Sequence, residues 1–174
     1  MQSDNGGRLD RPIDPNRDRI LGDPAAEITL VEYGSYGCTY CSKAHEIIRR
    51  LHDRFGDRMT YVFRHLPLAH KPEATRAAEL AEYVAATGGN FWKVHVALLL
   101  RGPDLSDAAL DAISEEFGVP PRDQWDPTLA SAVAARVREY VHSGIQSGAH
   151  LTPTFFINDK IYKGPWDETS LSEA

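Results

Sequence analysis

Both cysteines of the chain, Cys38 and Cys41, fall within the stretch EYGSYGCTYCSKAHE, residues 32–46. Two thiols three residues apart can form a redox couple, donate two ligands to a metal, or simply pack; the spacing alone does not choose. Their setting bears on the choice. Cys38 lies where a short β-rich run gives way to a helical pattern, so its sulfur should sit over unpaired N–H groups at a helix N-terminus. That position favours a thiolate, lowering a cysteine pKa from about 8.5 to roughly 3.5–7.5. Cys41, one turn further in, is near enough to close a disulfide and is expected to be more buried. In the redox reading Cys38 attacks and Cys41 resolves.

Two other features could belong to the same chemistry. By strand alternation Glu32 shares a face with Ile28 and Leu30. A carboxylate on a core-facing strand position is costly unless it has a partner or a task. Desolvation should raise its pKa and fit it to exchange a proton with Cys41; an edge strand with Glu32 in solvent is the plainer alternative. Far downstream, Thr152-Pro153 precedes the apolar run TFFI. Proline cannot donate within a central ladder, and X-Pro is where cis bonds occur. A cis bond there would leave backbone groups open to an extended peptide. Tyr36 and Tyr40 flank the cysteines and could line a substrate surface. Zinc would need Cys38, Cys41, His45 and a distant histidine such as His65 or His150; without a second cysteine pair, no metal ligands are assigned.

The elements that must position these residues are legible in outline. EITLVEY (27–33) and MTYVFRHL (59–66) read as strands. Between them Cys41, Ala44, Ile48, Leu51 and Phe55 recur at helical spacing up to Gly56. Three more helical runs follow. One carries Ala74, Ala77, Ala78, Ala81 and Val84; the next is FWKVHVALLL; the third opens at Ser106 with Leu110 and Ile113 inward. Asp126-Pro127 opens a fourth, with Val133, Val137 and Tyr140 on its stripe. TFFI (154–157) and KIYK (160–163) flank Asn158-Asp159 as a hairpin, with room for a short terminal helix at most. The reading is an α/β domain: a polar, flexible arm (1–22) that could pack an edge near Ile20 and Leu21, a first half with the cysteines (23–68), an inserted helical subdomain (69–148), and a closing half (149–174).

Composition narrows the partners. The chain has 174 residues, 42% hydrophobic and 25% charged, and a net charge of −6 with scattered Lys and Arg. Nucleic acid and anionic membrane surfaces are therefore not expected as partners. No apolar run approaches the roughly 20 residues of a membrane span. MQSDNGGRLDRP lacks a basic region followed by an apolar one, so the expected location is the cytoplasm, or outside it for a secreted chain already trimmed. Two cysteines make no disulfide scaffold, which favours a chemical use for them.

With these residues in place the chain resembles the DsbA-like thiol–disulfide oxidoreductases of the thioredoxin fold. ILGDPAAEITLVEYGSYGCTYC is similar to that family's opening strand and active-site turn, HKPEATRAAELAEYVAATGGNFWKVHVALL to its inserted helices, and LTPTFFIN to its cis-proline strand. The resemblance implies a central mixed sheet flanked by helices, Cys38 as nucleophile, Cys41 as resolving thiol, Glu32 as buried acid and Pro153 as cis-proline. It implies thiol- or disulfide-bearing protein substrates, a redox partner, and no cofactor beyond the Cys38–Cys41 disulfide. Thr39-Tyr40 departs from the Pro or His common between the family's cysteines. The competing reading is a redox-inactive module that binds peptide or zinc.

Overall fold

The computed structural model describes residues 6–174. Its elements run β1 (Arg19–Leu21), β2 (Ile28–Gly34), α1 (Thr39–Phe55), β3 (Met59–His65), α2 (Pro72–Ala86), α3 (Phe91–Leu100), α4 (Asp107–Glu116), α5 (Pro127–Gln146), β4 (Thr154–Ile157), β5 (Lys160–Ile161) and α6 (Glu168–Glu173). The strands form one mixed sheet in the order β1-β3-β2-β4-β5. Only β2 and β3 are parallel, in register from Ile28 opposite Met59 to Gly34 opposite His65. A parallel pair needs a crossover, and α1 supplies it. This is the mixed, helix-flanked thioredoxin-like sheet expected from the sequence.

Period-two alternation divides the sheet residues between two cores. Leu30, Tyr61, Phe63 and Phe155 face a cluster built with Cys41, Ala44, Ile48 and Leu51 of α1 and the apolar sides of α2, α3 and α4. Val31, Tyr33, Val62 and Phe156 face the other side, under Leu9, Ile13, Val141 and Ala149. The helices begin where the sequence places caps. Ser106 and Asp126 accept from the backbone N–H groups of Ala109 and Leu129, and Asn90 does the same for Lys93. Asn158 and Asp159 adopt φ of 46° and 74°, the conformation of a two-residue hairpin turn. The last strand is shorter than KIYK suggests, ending at Ile161. No helix among the described residues is long and apolar enough to cross a membrane.

Composition made residues 1–22 look like a loose arm. Residues 1–5 lie outside the described residues, and the segment from Leu9 to Leu21 packs against the sheet. Leu9 is buried, β1 pairs antiparallel with β3, and Asp18 is buried opposite Arg64. Arg64 sits on a central strand with no exposed side-chain surface; its Nε and Nη2 donate to the two Asp18 oxygens at 3.0 and 2.9 Å. Its Nη1 donates to the Tyr33 hydroxyl at 2.9 Å, and Nη2 also to the Pro12 carbonyl at 3.1 Å. The arm's polar composition therefore contains the counter-charge for an arginine that the sheet has buried. Removing one member of such a pair strands the other and costs about 3–5 kcal/mol. Asp18→Ala should lower the thermal midpoint by on the order of 10 °C, measured by circular dichroism; a shift within about 2 °C would mean the arm does not support the sheet.

Candidate active site

Two strands end at the cysteines. β2 leads through Ser35–Gly37 into α1, and antiparallel β4 begins opposite, with Thr154 facing Tyr33. Pro153 and Thr152 therefore lie at the same end of the sheet as Cys38. Gly37 turns the chain with φ of 73°, and a side chain there would press on Leu105 at 2.8 Å. Cys38 is the residue that caps α1, with no side-chain cap hydrogen bond of its own. The Thr152–Pro153 bond is cis. The Thr152 hydroxyl donates to Cys38 Sγ at 3.4 Å, and the Thr152 carbonyl stands 3.7 Å from the same sulfur. Ser42 Oγ donates to the Leu99 carbonyl at 3.0 Å, fixing the start of α1 against the end of α3.

The two thiols are free and differ in environment. Cys38 is 6% exposed and Cys41 1%. A hydrogen bond from the Cys41 thiol does most to bring the Cys38 pKa down to about 5; burial opposes it, while Thr152 and the backbone N–H groups of Cys41 and Tyr40 assist. For Cys41 the same hydrogen bond, then burial, then the nearby Glu32 all push upward, so it stays a thiol. The Ser35 N–H, 3.5 Å from Cys41 Sγ, opposes this rise.

Glu32 is 2% exposed, on the face with Leu30 and Phe63 rather than on a solvated edge. Burial pushes its pKa up to about 8, against the pull of the Tyr61 hydroxyl, which donates to Oε2 at 2.6 Å; the charge at Cys38 adds to the rise. Glu32 thus holds its proton at neutral pH and gives it up just above.

Of the sequence-predicted residues, the structure brings together Cys38, Cys41, Glu32, Thr152 and Pro153. Tyr40 is 60% exposed beside them, its ring edge-on to Trp166. Tyr36 does not line a surface. It is 1% exposed, its hydroxyl paired with His95 Nδ1 at 2.9 Å, because the chain turns inward at Tyr36 before Gly37 brings it back. His45 stands edge-on to His95, and burial lowers its pKa, favouring the neutral imidazole. Among the described residues no three His, Cys, Asp or Glu side chains converge as a metal-binding set. Sequence reasoning missed Tyr61. Its signal was a polar-tipped aromatic in the middle of MTYVFRHL, but the partner emerges only once β2 and β3 are paired in register.

Known proteins share this fold. The family model described as Thioredoxin matches residues 15–174. The chain is 46% identical over 167 residues to the Na(+)/H(+) antiporter NhaA of Nitrosospira multiformis, which covers 95% of this chain and 27% of that protein. It thus spans about a quarter of the length of the curated relatives it matches. Among solved structures it superposes on oxidised BdbD from Bacillus subtilis with a TM-score of 0.77 at 22% identity, covering 96% of this chain and 93% of that one. For DsbA2 of Pseudomonas aeruginosa the TM-score is 0.66 at 25% identity, covering 89% and 90%. The chain belongs to the thioredoxin family and carries the DsbA-like form of its fold.

Proposed function

We propose that the chain exchanges disulfides with protein substrates through Cys38 and Cys41, using no cofactor beyond that pair. The observation that carries this reading is the asymmetry of the two thiols. Cys38, hydrogen-bonded by the Cys41 thiol and then by Thr152 at the start of α1, is a thiolate above about pH 5, whereas Cys41, the donor of that bond, keeps its proton in a buried site beside an acid.

In the reducing direction, the Cys38 thiolate attacks one sulfur of a substrate disulfide. The substrate S–S bond breaks, its other sulfur leaves as thiolate, and a Cys38–substrate disulfide forms. Glu32, in its ionised form, accepts the Cys41 proton. The Cys41 sulfur then attacks Cys38 Sγ, closes the Cys38–Cys41 bond and expels the second substrate thiolate. Two electrons pass to the substrate. The reverse sequence, started by a substrate thiolate on Cys38, oxidises the substrate, and a separate redox partner resets the couple. Pro153 and Thr152 border the sulfur where the substrate chain must pass, and exposed Tyr40 offers it an apolar contact.

The low pKa of Cys38 supports an oxidising poise. A stabilised thiolate stabilises the reduced pair, and so makes the disulfide a stronger oxidant. A value of about 5 lies between about 7 for thioredoxin and about 3.5 for DsbA. Equilibration with glutathione buffers should therefore give a potential between about −270 and −120 mV; a pair that forms no reversible disulfide would sink the proposal.

Single substitutions separate the roles. Cys38→Ser should abolish turnover in an insulin-reduction assay, and Cys41→Ser should accumulate mixed disulfides detectable on non-reducing gels. Glu32→Gln should slow the closing step about 100-fold or more, the usual size of a lost acid–base group, while leaving attack by Cys38 intact. Full activity in Cys38→Ser would contradict the assignment.

A further inference from the structure

Glu32 lies in a setting built around its carboxyl group. The groups facing it are Tyr61 from β3, Cys41 from α1, and Tyr36 and Cys38 from the turn between β2 and α1. The residues paired with it across the sheet, Phe63 and Phe155, are apolar. Among the described residues no Lys, Arg or His pairs with it. Its hydrogen-bond partner is the Tyr61 hydroxyl at 2.6 Å. Burial keeps that phenol far from ionising, so it remains a donor. On the other side, a side chain at Gly34 would come within 2.8 Å of Glu32 Oε1, so the missing Cβ leaves room for the carboxylate. The Tyr61 ring is itself held against Trp92, with centroids 5.5 Å apart.

We infer that Tyr61 is a positioning residue for the proton-accepting step, its hydroxyl holding the Glu32 carboxylate beside the cysteine pair and favouring the ionised form. The inference rests on the disulfide-exchange reading and adds to it the group that governs its pH dependence. A donated hydrogen bond stabilises carboxylate over carboxylic acid and so works against burial. Without it Glu32 holds its proton to higher pH, and less base is present to take the proton from Cys41. A hydrogen bond to a charged group corresponds to about one to two pH units.

The test uses Tyr61→Phe, which removes the hydroxyl and keeps the ring. Reduced protein is mixed with a disulfide-bonded peptide, quenched with acid at intervals, and assayed by mass spectrometry for the Cys38 mixed disulfide and for the closed Cys38–Cys41 pair. Across a pH series, Tyr61→Phe should form the mixed disulfide at the unaltered rate. Its closing step should titrate about one to two pH units higher and run about 10- to 100-fold slower at pH 7. In a Glu32→Gln background the same change should add nothing, since the two act as one unit. The infrared carboxyl band lost in Glu32→Gln gives an activity-free reading, with a midpoint near 8 in the unaltered protein and a higher one in Tyr61→Phe. An unchanged midpoint, or equal slowing in both backgrounds, would overturn the role of Tyr61 while leaving disulfide exchange intact. Failure of the unaltered protein to form any Cys38 mixed disulfide would overturn both.

Discussion

A carboxyl group buried on the apolar face of a central strand is the constraint around which the rest of the site is arranged. Glu32 requires a donor, and the parallel pairing of β2 with β3 supplies one in Tyr61. It requires space, which Gly34 leaves. In return it holds a proton at neutral pH, and once ionised its charge adds to the hydrogen bond to Cys38 and the burial that already keep Cys41 protonated. The pairing that positions Tyr61 also demands a crossover helix, and that helix begins at Cys38. One sheet register therefore sets both the acid and the nucleophile.

The difference between the thiols is electrostatic rather than compositional. Cys38 accepts a hydrogen bond from the Cys41 thiol and has the Thr152 hydroxyl and backbone N–H groups directed at it as well; three residues on, Cys41 donates that bond from a covered site with an acid for a neighbour. Such contacts gain strength where water is excluded. The surrounding buried charges are compensated. Glu82, pushed up by burial, is pulled further down to about 2 by His65 at 3.0 Å and by Arg19. Arg64 is matched by Asp18 on the opposite face of the sheet. These pairs fasten β1, β3, α2 and the N-terminal segment together. The scaffold behind the cysteines is thus held by polar contacts as well as by the two apolar cores.

Much of this was legible in the sequence. The two long strands, the stripe of α1, the caps at Ser106 and Asp126 and the Asn158-Asp159 turn all rest on local rules, and the local rules held. Glu32 was visible because a lone acid interrupts an apolar alternation. The remainder depended on contacts between distant segments. Tyr61 is an ordinary strand residue until register places its hydroxyl against Glu32. Tyr36 looked like a surface aromatic because loops usually expose them, yet His95, 59 positions away, draws it inward. The N-terminal segment looked loose because Asp18 gains its meaning only from Arg64.

The asymmetry of the two thiols is open to a direct test: the pH dependence of alkylation in the reduced protein, with mass spectrometry assigning the modified residue. Cys38 should be labelled at a rate that rises through about pH 5 and then levels off, while Cys41 stays unlabelled up to the alkaline limit of folding. Labelling of both cysteines through a common midpoint near 8.5, the value of an ordinary thiol, or labelling of Cys41 first, would contradict the roles assigned to them.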